Sequence, residues 1–267
     1  MSWDVRRRVR SNHPLPFVMT ARLSLRAIVA ALLIGFLGAC GGQQDGGDTT
    51  SAATSRPTTD HPDTTGWDRL FQPNLSGAIL DSSGSWTTED GVLVANDHTT
   101  IWTPESYGDF VLDFEARTPD GTNSGVFFRT ADRSDILSAL ELQMHNPPGP
   151  DSAADKRHRY GGRNGMGAVY SLKGPSGGEP APAGEWNRFT VTARGDMIYV
   201  VMNGEQIHEM DLSQWTEPGR TPDGREHKFD RALANQAESG PIGLQGIHSE
   251  NGVSVEYRNL KIRRPDE

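Results

Sequence analysis

The sequence predicts an all-β domain built as a sandwich of two antiparallel sheets. Of the 267 residues, 30 are glycine and 17 are proline. Short β-branched and aromatic runs stand between these residues, as in proteins made of many short strands. More than ten such runs occur and helical periodicity is scarce, so two packed sheets are the expected arrangement. A chain of this length can bury one large core, and one globular domain is therefore expected.

Residues 1–39 have the pattern of an export signal. Two arginines precede the apolar run 27–37, which is too short for a permanent transmembrane helix. The Leu-Gly-Ala-Cys motif that ends at Cys40 resembles the bacterial lipobox, whose cysteine is lipid-modified and becomes the mature N-terminus. An ordinary signal cleaved before an incidental cysteine is the alternative. The long basic segment before the apolar run also makes Met19 a candidate start.

The amino-acid composition limits the expected cellular location of the protein and the kinds of partner that it binds. Residues 40–65 contain almost no apolar side chains and are predicted to be a disordered tether, and the domain is expected over 66–264. Cys40 is the only cysteine, so the domain has no internal disulfide. The part after residue 39 carries 20 basic and 34 acidic residues, a net charge of −14, which argues against nucleic acid and against electrostatic binding to anionic lipid. We expect a lipoprotein anchored to a bacterial membrane and facing the periplasm or the cell exterior.

Strands and turns follow from local patterns. The segment 110–117 alternates strictly between apolar and charged residues, and Asp90-Gly91 and Asn203-Gly204 are strong hairpin turns. The region 146–167 is a long loop whose basic run 156–159 is either solvated or in contact with a substrate. A short helix is possible near residues 229–237. Further strands are expected at 86–89, 92–94, 100–102, 123–129, 140–145, 167–170, 186–193, 197–202, 205–208, 253–257 and 260–262.

The segments 123–129 and 140–145 would place polar groups on one side of a sheet. Successive side chains of a strand point to opposite faces. Leu140, Leu142 and Met144 share one face, so the other face of that segment is polar. If the two segments pair, one surface suits a polar ligand. That surface would carry Asn123, Gly125, Phe127, Arg129, Glu141, Gln143 and His145.

Nine motifs in order make the chain resemble the 3-keto-disaccharide hydrolase domain family over residues 66–262. They include Asn123–Arg129, Glu141-Leu142-Gln143, Gly167–Tyr170 and Ile242–Gln245. The resemblance implies a concanavalin-like jelly roll that cleaves glycosides already oxidised to a ketone at sugar carbon 3. A separate sugar 3-oxidoreductase would supply that substrate. A non-catalytic carbohydrate-binding module of the same fold is the alternative, because fold does not determine function.

The implied chemistry needs one base and one group that stabilises an enolate. A ketone at carbon 3 acidifies the proton on carbon 2, and the enolate can expel the glycosidic oxygen before water adds back. Glu141 is the leading base, or a metal ligand, unless it only forms an ion pair with Arg129. Arg129 would hold the enolate or orient Glu141. His145 is the alternative base, because histidine titrates near neutral pH.

Other residues are candidates for substrate binding. Asn123 and Gln143 offer amide groups for sugar hydroxyls, and Phe127 would stack on a sugar ring or fill space between strands. Tyr170 would donate its hydroxyl or pack in the core. Gln245 and His248 are expected to reach the same face. For a divalent metal, Glu141, His145 and His248 are suitable residue types, but no spacing requires one.

Overall fold

A computed structural model of the protein describes residues 60–146, 162–248 and 253–265. These residues form a jelly-roll-like sandwich of two antiparallel sheets, which confirms the predicted fold class. The predicted signal, Cys40, most of the predicted tether and the basic run 156–159 lie outside the described residues. Within the described ranges, no helix is long and apolar enough to cross a membrane.

The described residues contain thirteen strands in two sheets. The larger sheet has the order β11-β10-β9-β6-β13-β4-β3, with β1 also paired to β13, and the smaller has the order β2-β5-β12-β7-β8. The strands are β1 (Asp68–Arg69), β2 (Ile79–Leu80), β3 (Trp86–Glu89), β4 (Val92–Ala95), β5 (Ile101–Trp102), β6 (Phe110–Arg117), β7 (Gly125–Phe128), β8 (Leu140–Gln143), β9 (Trp186–Arg194), β10 (Met197–Met202), β11 (Glu205–Asp211), β12 (Gly243–Leu244) and β13 (Glu256–Arg263).

Two hairpin turns lie where the sequence predicts them. Asp90 and Gly91 join β3 to β4 with φ angles of 50° and 80°, and Asn203 and Gly204 join β10 to β11 with φ angles of 50° and 83°. Two consecutive positive φ values are typical of the two-residue turn whose twist matches that of the paired strands. Asparagine, aspartate and glycine tolerate this backbone conformation best.

The hydrophobic core lies between the two sheets. Phe110, Leu112 and Phe114 project from β6 into this layer and are fully buried, as the alternation in 110–117 predicts. Phe114 stacks on Phe189 of β9 with ring centroids 5.3 Å apart. Each fully buried large apolar side chain stabilises the fold by about 1.5–3 kcal/mol. The outward side chains of β6 are therefore left to interact with polar groups on the outer face of the larger sheet.

Residues 60–65, the last part of the predicted tether, are among the described residues, and His61 makes contacts with the sandwich. His61 packs on the outer face of the larger sheet, where its Nδ1 lies 2.8 Å from Thr190 Oγ1 and its Nε2 accepts a hydrogen bond from the Gly204 amide. Thr190 in turn donates to Asp113 Oδ2 at 2.6 Å. These bonds fix His61 to β6, β9 and the β10–β11 turn.

Two local predictions differ from the structure. The helix expected near 229–237 is a single 3-10 turn, Leu233–Asn235. The strand expected at 167–170 is reduced to isolated bridges at Val169.

Two tryptophans of the outer surface pack against arginines. Trp67 and Trp186 are half-buried beneath arginine side chains. Cation–π contact explains how these indoles remain partly exposed.

Candidate active site

The outer face of the smaller sheet brings most of the predicted polar residues together. In the β7–β8 pair, Phe127 lies opposite Glu141 and Gly125 lies opposite Gln143. Pairing continues beyond the strand ends through the two backbone hydrogen bonds between Ser124 and Met144. Leu140 and Leu142 point into the main core, so Glu141 and Gln143 point outward. Gly125 and Phe127 of β7 and Glu141 and Gln143 of β8 therefore lie on the outer face, as the period of two predicts.

Gly125 provides the space that Glu141 occupies. A Cβ atom at position 125 would lie 2.4 Å from Glu141 Oε1 and 2.8 Å from its Cγ. The glutamate side chain therefore lies across the neighbouring strand, directly over the glycine. A larger residue at position 125 would displace the carboxylate.

Glu141 is a buried carboxylate with the properties of a base. Only 7% of the residue is exposed, and burial raises the pKa of Glu141 to about 7, although Lys228 partly offsets this effect. Desolvation disfavours the charged form of a carboxyl group, which explains the direction of the shift. A group with this pKa can accept and return a proton near neutral pH.

Lys228 is the cation beside Glu141, and no pattern in the sequence predicts it. Its Nζ lies 3.9 Å from Glu141 Oε2, 4.8 Å from the ring centroid of Tyr170 and 5.0 Å from that of Phe229. Burial lowers the pKa of Lys228, and the charge of Glu141 opposes this shift. Lys228 belongs to the polar, irregular segment between β11 and β12, where no periodicity or motif marks a functional residue.

Arg129 is not the ion-pair partner of Glu141, in contrast to the pairing that the sequence suggested, because its side chain binds other groups. Its backbone has a φ of 55°, which ends β7 and redirects the side chain. The buried guanidinium donates to the Gly195 carbonyl at 3.1 Å and to Asp109 Oδ1 at 3.4 Å. These partners lie in loops that flank strands of the larger sheet. Arg129 thus joins the two sheets at the end of β7.

Two amide side chains flank Gly125 on the outer face. Gln143 donates from Nε2 to Asn123 Oδ1 at 2.8 Å, and the Gln245 backbone amide donates to the Gly125 carbonyl at 2.9 Å. Gln143 Oε1 and Gln245 Oε1 are buried and have no hydrogen-bond partner among the described residues. Buried polar atoms are normally hydrogen-bonded. These acceptors therefore suit a ligand with hydroxyl donors.

The other predicted polar residues lie around this centre. Tyr170 donates its backbone amide to the Glu141 carbonyl at 2.9 Å, and its half-buried ring faces Lys228 rather than the core. His145 Nδ1 lies 3.0 Å from the Asn164 carbonyl. A carbonyl only accepts hydrogen bonds, so Nδ1 carries the proton and Nε2 is the basic nitrogen. His248 is exposed, and its backbone amide donates to the Asn123 carbonyl.

Phe127 fills space between structural elements and does not present a face for sugar stacking. Its ring is 2% exposed and stacks on Trp102 of β5, with centroids 5.8 Å apart. Trp102 lies over Gly243, where a Cβ atom would be 2.5 Å from the indole ring. Ile136 and Ala139 of the β7–β8 connection complete this small cluster. Phe127 therefore fills space between strands, which is the second of the two roles considered for it.

Glu141, His145 and His248, the residue types considered for a divalent metal, do not form a common metal-binding group in the described part of the chain. Among the described residues, no group of three or more histidine, cysteine, aspartate or glutamate side chains is arranged to hold a metal ion.

Comparisons with known proteins support a glycoside-acting jelly-roll domain. The chain belongs to the 3-keto-alpha-glucoside-1,2-lyase-like domain family, whose model matches residues 55–263. A crystal structure from Parabacteroides distasonis ATCC 8503, described as a "putative glycosyl hydrolase", is 33% identical to this chain, with a TM-score of 0.66 over 74% of this chain and 98% of that one. A second structure from that organism with the same description is 20% identical, with a TM-score of 0.53 over 72% and 91% of the two chains, and supports the fold. Comparison with curated proteins found no match.

Proposed function

We propose that this protein cleaves glycosides whose sugar carries a ketone at carbon 3, through elimination followed by addition of water. Membership of the 3-keto-alpha-glucoside-1,2-lyase-like family suggests the substrate class. The observation that carries the proposal is Glu141, a buried carboxyl group with a pKa of about 7 on a face that also carries the amides of Gln143 and Asn123.

The charge environment of Glu141 suits elimination better than ordinary glycoside hydrolysis. Ordinary glycosidases use two carboxyl groups on opposite sides of the scissile bond. Among the described residues, the charged group that acts on Glu141 is a cation, Lys228, rather than a second carboxylate. A ketone at carbon 3 removes the need for the second acid, because it acidifies the proton on carbon 2.

Each bond change can then be assigned. Glu141 removes the proton from carbon 2, and the electron pair of that C–H bond forms the enolate of the carbon-3 ketone. The enolate re-forms the ketone and a double bond between carbons 1 and 2, while the bond from carbon 1 to the glycosidic oxygen breaks. The proton on Glu141 passes to the departing oxygen. Water then adds its hydroxyl to carbon 1 and its hydrogen to carbon 2, so the net reaction is hydrolysis.

The amides would orient the sugar on this face. Gln143 Oε1 and Gln245 Oε1 are acceptors on either side of Gly125, and sugar hydroxyls are donors that match them. The same contacts would serve a non-catalytic carbohydrate-binding module, which is the second candidate function. The raised pKa of Glu141 favours the enzyme, because binding alone requires no base.

The proposal is tested with a 3-keto-disaccharide and the same disaccharide before oxidation. We expect the wild-type protein to release a 3-keto-monosaccharide from the first and nothing from the second. Glu141→Gln should reduce turnover by at least about 10²-fold, the usual contribution of a general base, while retaining substrate binding. Glu89→Gln, at an exposed position beside a hairpin turn, is the matched control. Binding of both sugars without any product would instead establish the binding module.

We also propose that the protein is exported and anchored by a lipid on Cys40. The Leu-Gly-Ala-Cys motif after a short apolar run supports this proposal. Metabolic labelling with a fatty acid should mark the wild-type protein and not the Cys40→Ser variant. Equal labelling of both, or of neither, would contradict it.

A further inference from the structure

We propose that Lys228 is a catalytic residue whose ammonium group binds the carbon-3 ketone oxygen and stabilises the enolate that forms when Glu141 removes the carbon-2 proton. This inference rests on the proposed function and adds the second group that the reaction requires. Arg129, the residue that the sequence suggested for this role, is held by Asp109 and Gly195 instead.

The separation of the two groups matches the substrate. The proton that leaves and the oxygen that gains charge belong to neighbouring carbon atoms, so the base and the cation must lie within a few ångströms of each other. Glu141 Oε2 and Lys228 Nζ are 3.9 Å apart. Each group can therefore reach its own substrate atom at a hydrogen-bonding distance of about 2.6–3.2 Å.

The pair is looser than a hydrogen-bonded ion pair, which would have a distance of about 2.7–2.9 Å. Instead of a tight bond to the carboxylate, the ammonium group lies over the faces of Tyr170 and Phe229. Aromatic faces attract a cation through the ring quadrupole and do not require an acceptor oxygen. This position leaves the N–H groups of Lys228 able to donate to a ligand oxygen.

The surroundings hold Lys228 in place. Its backbone amide donates to Ser171 Oγ at 3.0 Å, next to Tyr170 in the chain. The lysine side chain is 19% exposed, so its charge acts in a medium where electrostatic stabilisation exceeds that in water. The other charged residues that act on Lys228 are Arg231, which opposes its positive charge, and Asp135, which favours it.

A purely structural role is the alternative, in which Lys228 only compensates the buried charge of Glu141. The two roles differ in the pH profile of kcat. Lys228 lowers the pKa of Glu141, so its removal shifts the acidic limb of the profile to higher pH in either case. A residue that only adjusts the base becomes dispensable once Glu141 is fully ionised. A residue that binds the enolate as a cation remains necessary wherever it is protonated, including the range in which Glu141 is already ionised.

The test is the kcat of wild type, Lys228→Met, Lys228→Arg and Lys173→Met with a 3-keto-disaccharide between pH 6 and 10. Lys173→Met is the matched control, because Lys173 Nζ binds the Glu209 carbonyl outside the site. Circular dichroism checks that each variant is folded. Above the pKa of Glu141, we expect the kcat of Lys228→Met to be about 10²–10³-fold below that of wild type, as for loss of one oxyanion donor. Lys228→Arg should recover part of this lost kcat.

The outcomes separate the two hypotheses. A Lys228→Met plateau equal to that of wild type overturns the catalytic role of Lys228 and leaves the proposed function standing. Absence of wild-type turnover with any 3-keto-glycoside overturns the proposed function and this role with it. If Lys228→Met does not fold, Lys228→Arg distinguishes the two roles. A high-pH kcat close to that of wild type supports a cationic donor. A high-pH kcat as low as that of Glu141→Gln overturns the catalytic role of Lys228. A covalent adduct on Lys228 after borohydride reduction with substrate would overturn enolate binding in favour of an imine.

Discussion

Lys228 Nζ lies 3.9 Å from Glu141 Oε2, and each group opposes the pKa shift that burial imposes on the other. The pair joins the middle of β8 to an irregular segment between β11 and β12. Neither residue belongs to a tight, fully hydrogen-bonded ion pair, so both can respond to a ligand.

The pH dependence of activity should follow Glu141. The carboxylate must be ionised to accept a proton, and its pKa is about 7. We therefore expect kcat/KM to rise about tenfold per pH unit below pH 7 and to level off above it, which initial rates between pH 5 and 9 would measure. Maximal kcat/KM at pH 5 would exclude Glu141 as the base.

Glu141→Gln should stabilise the fold at alkaline pH. The pKa of Glu141 is raised from 4.5 to about 7 on folding, so the folded state holds the proton more tightly than the unfolded state. The stability that Glu141 contributes is complete below pH 4.5 and is lost as the pH rises through 7. At pH 8 the ionised carboxylate costs on the order of 3 kcal/mol, and glutamine removes this cost.

Urea unfolding at pH 4 and pH 8 measures this difference. Glu141→Gln should increase the free energy of unfolding at pH 8 and leave it nearly unchanged at pH 4. The control Glu89→Gln should leave the free energy of unfolding unchanged at both pH values. A Glu141→Gln variant that is less stable than wild type at pH 8 would contradict the assigned environment.

Gly125→Ala should impair catalysis while the domain still folds. The added methyl group would lie 2.4 Å from Glu141 Oε1, and the flexible glutamate side chain can move away from it. We expect kcat to fall at least about tenfold, because small misplacements of a reacting group have large kinetic effects. Gly108→Ala is the matched control, since its Cβ would have ordinary contacts, the nearest at 3.7 Å. If Gly125→Ala has the same kcat as wild type, the position of the Glu141 carboxylate over residue 125 is not required for catalysis.

Phe127→Ala should act mainly on stability. The ring is buried against Trp102, and truncation of a core phenylalanine costs about 3–5 kcal/mol. Chemical denaturation should detect this loss. Unchanged stability combined with a large rise in KM would instead mean that Phe127 stacks on the sugar.

The sequence predicts much of this architecture because strand periodicity is local. The alternation of β6, the turns at Asp90-Gly91 and Asn203-Gly204, and the outward face of Glu141 and Gln143 all depend on neighbours in the chain. The direction of the Arg129 side chain could not be predicted in this way, because one positive φ at the end of β7 breaks the period of two.

The position of Lys228 beside Glu141 could not be predicted from the sequence either, but the cause is different. Its role depends on a contact between segments that are distant in sequence, and the polar stretch around it contains no repeat or motif. His61 is a similar case, since its partners Thr190 and Gly204 are 129 and 143 residues away in the sequence. Composition alone therefore assigned it to the tether.

His61 and Glu141 lie on opposite sides of the sandwich. His61 packs against the outer face of the larger sheet, whereas Glu141 lies on the outer face of the smaller sheet. The contacts that hold His61 therefore leave the face that carries Glu141 uncovered by this residue.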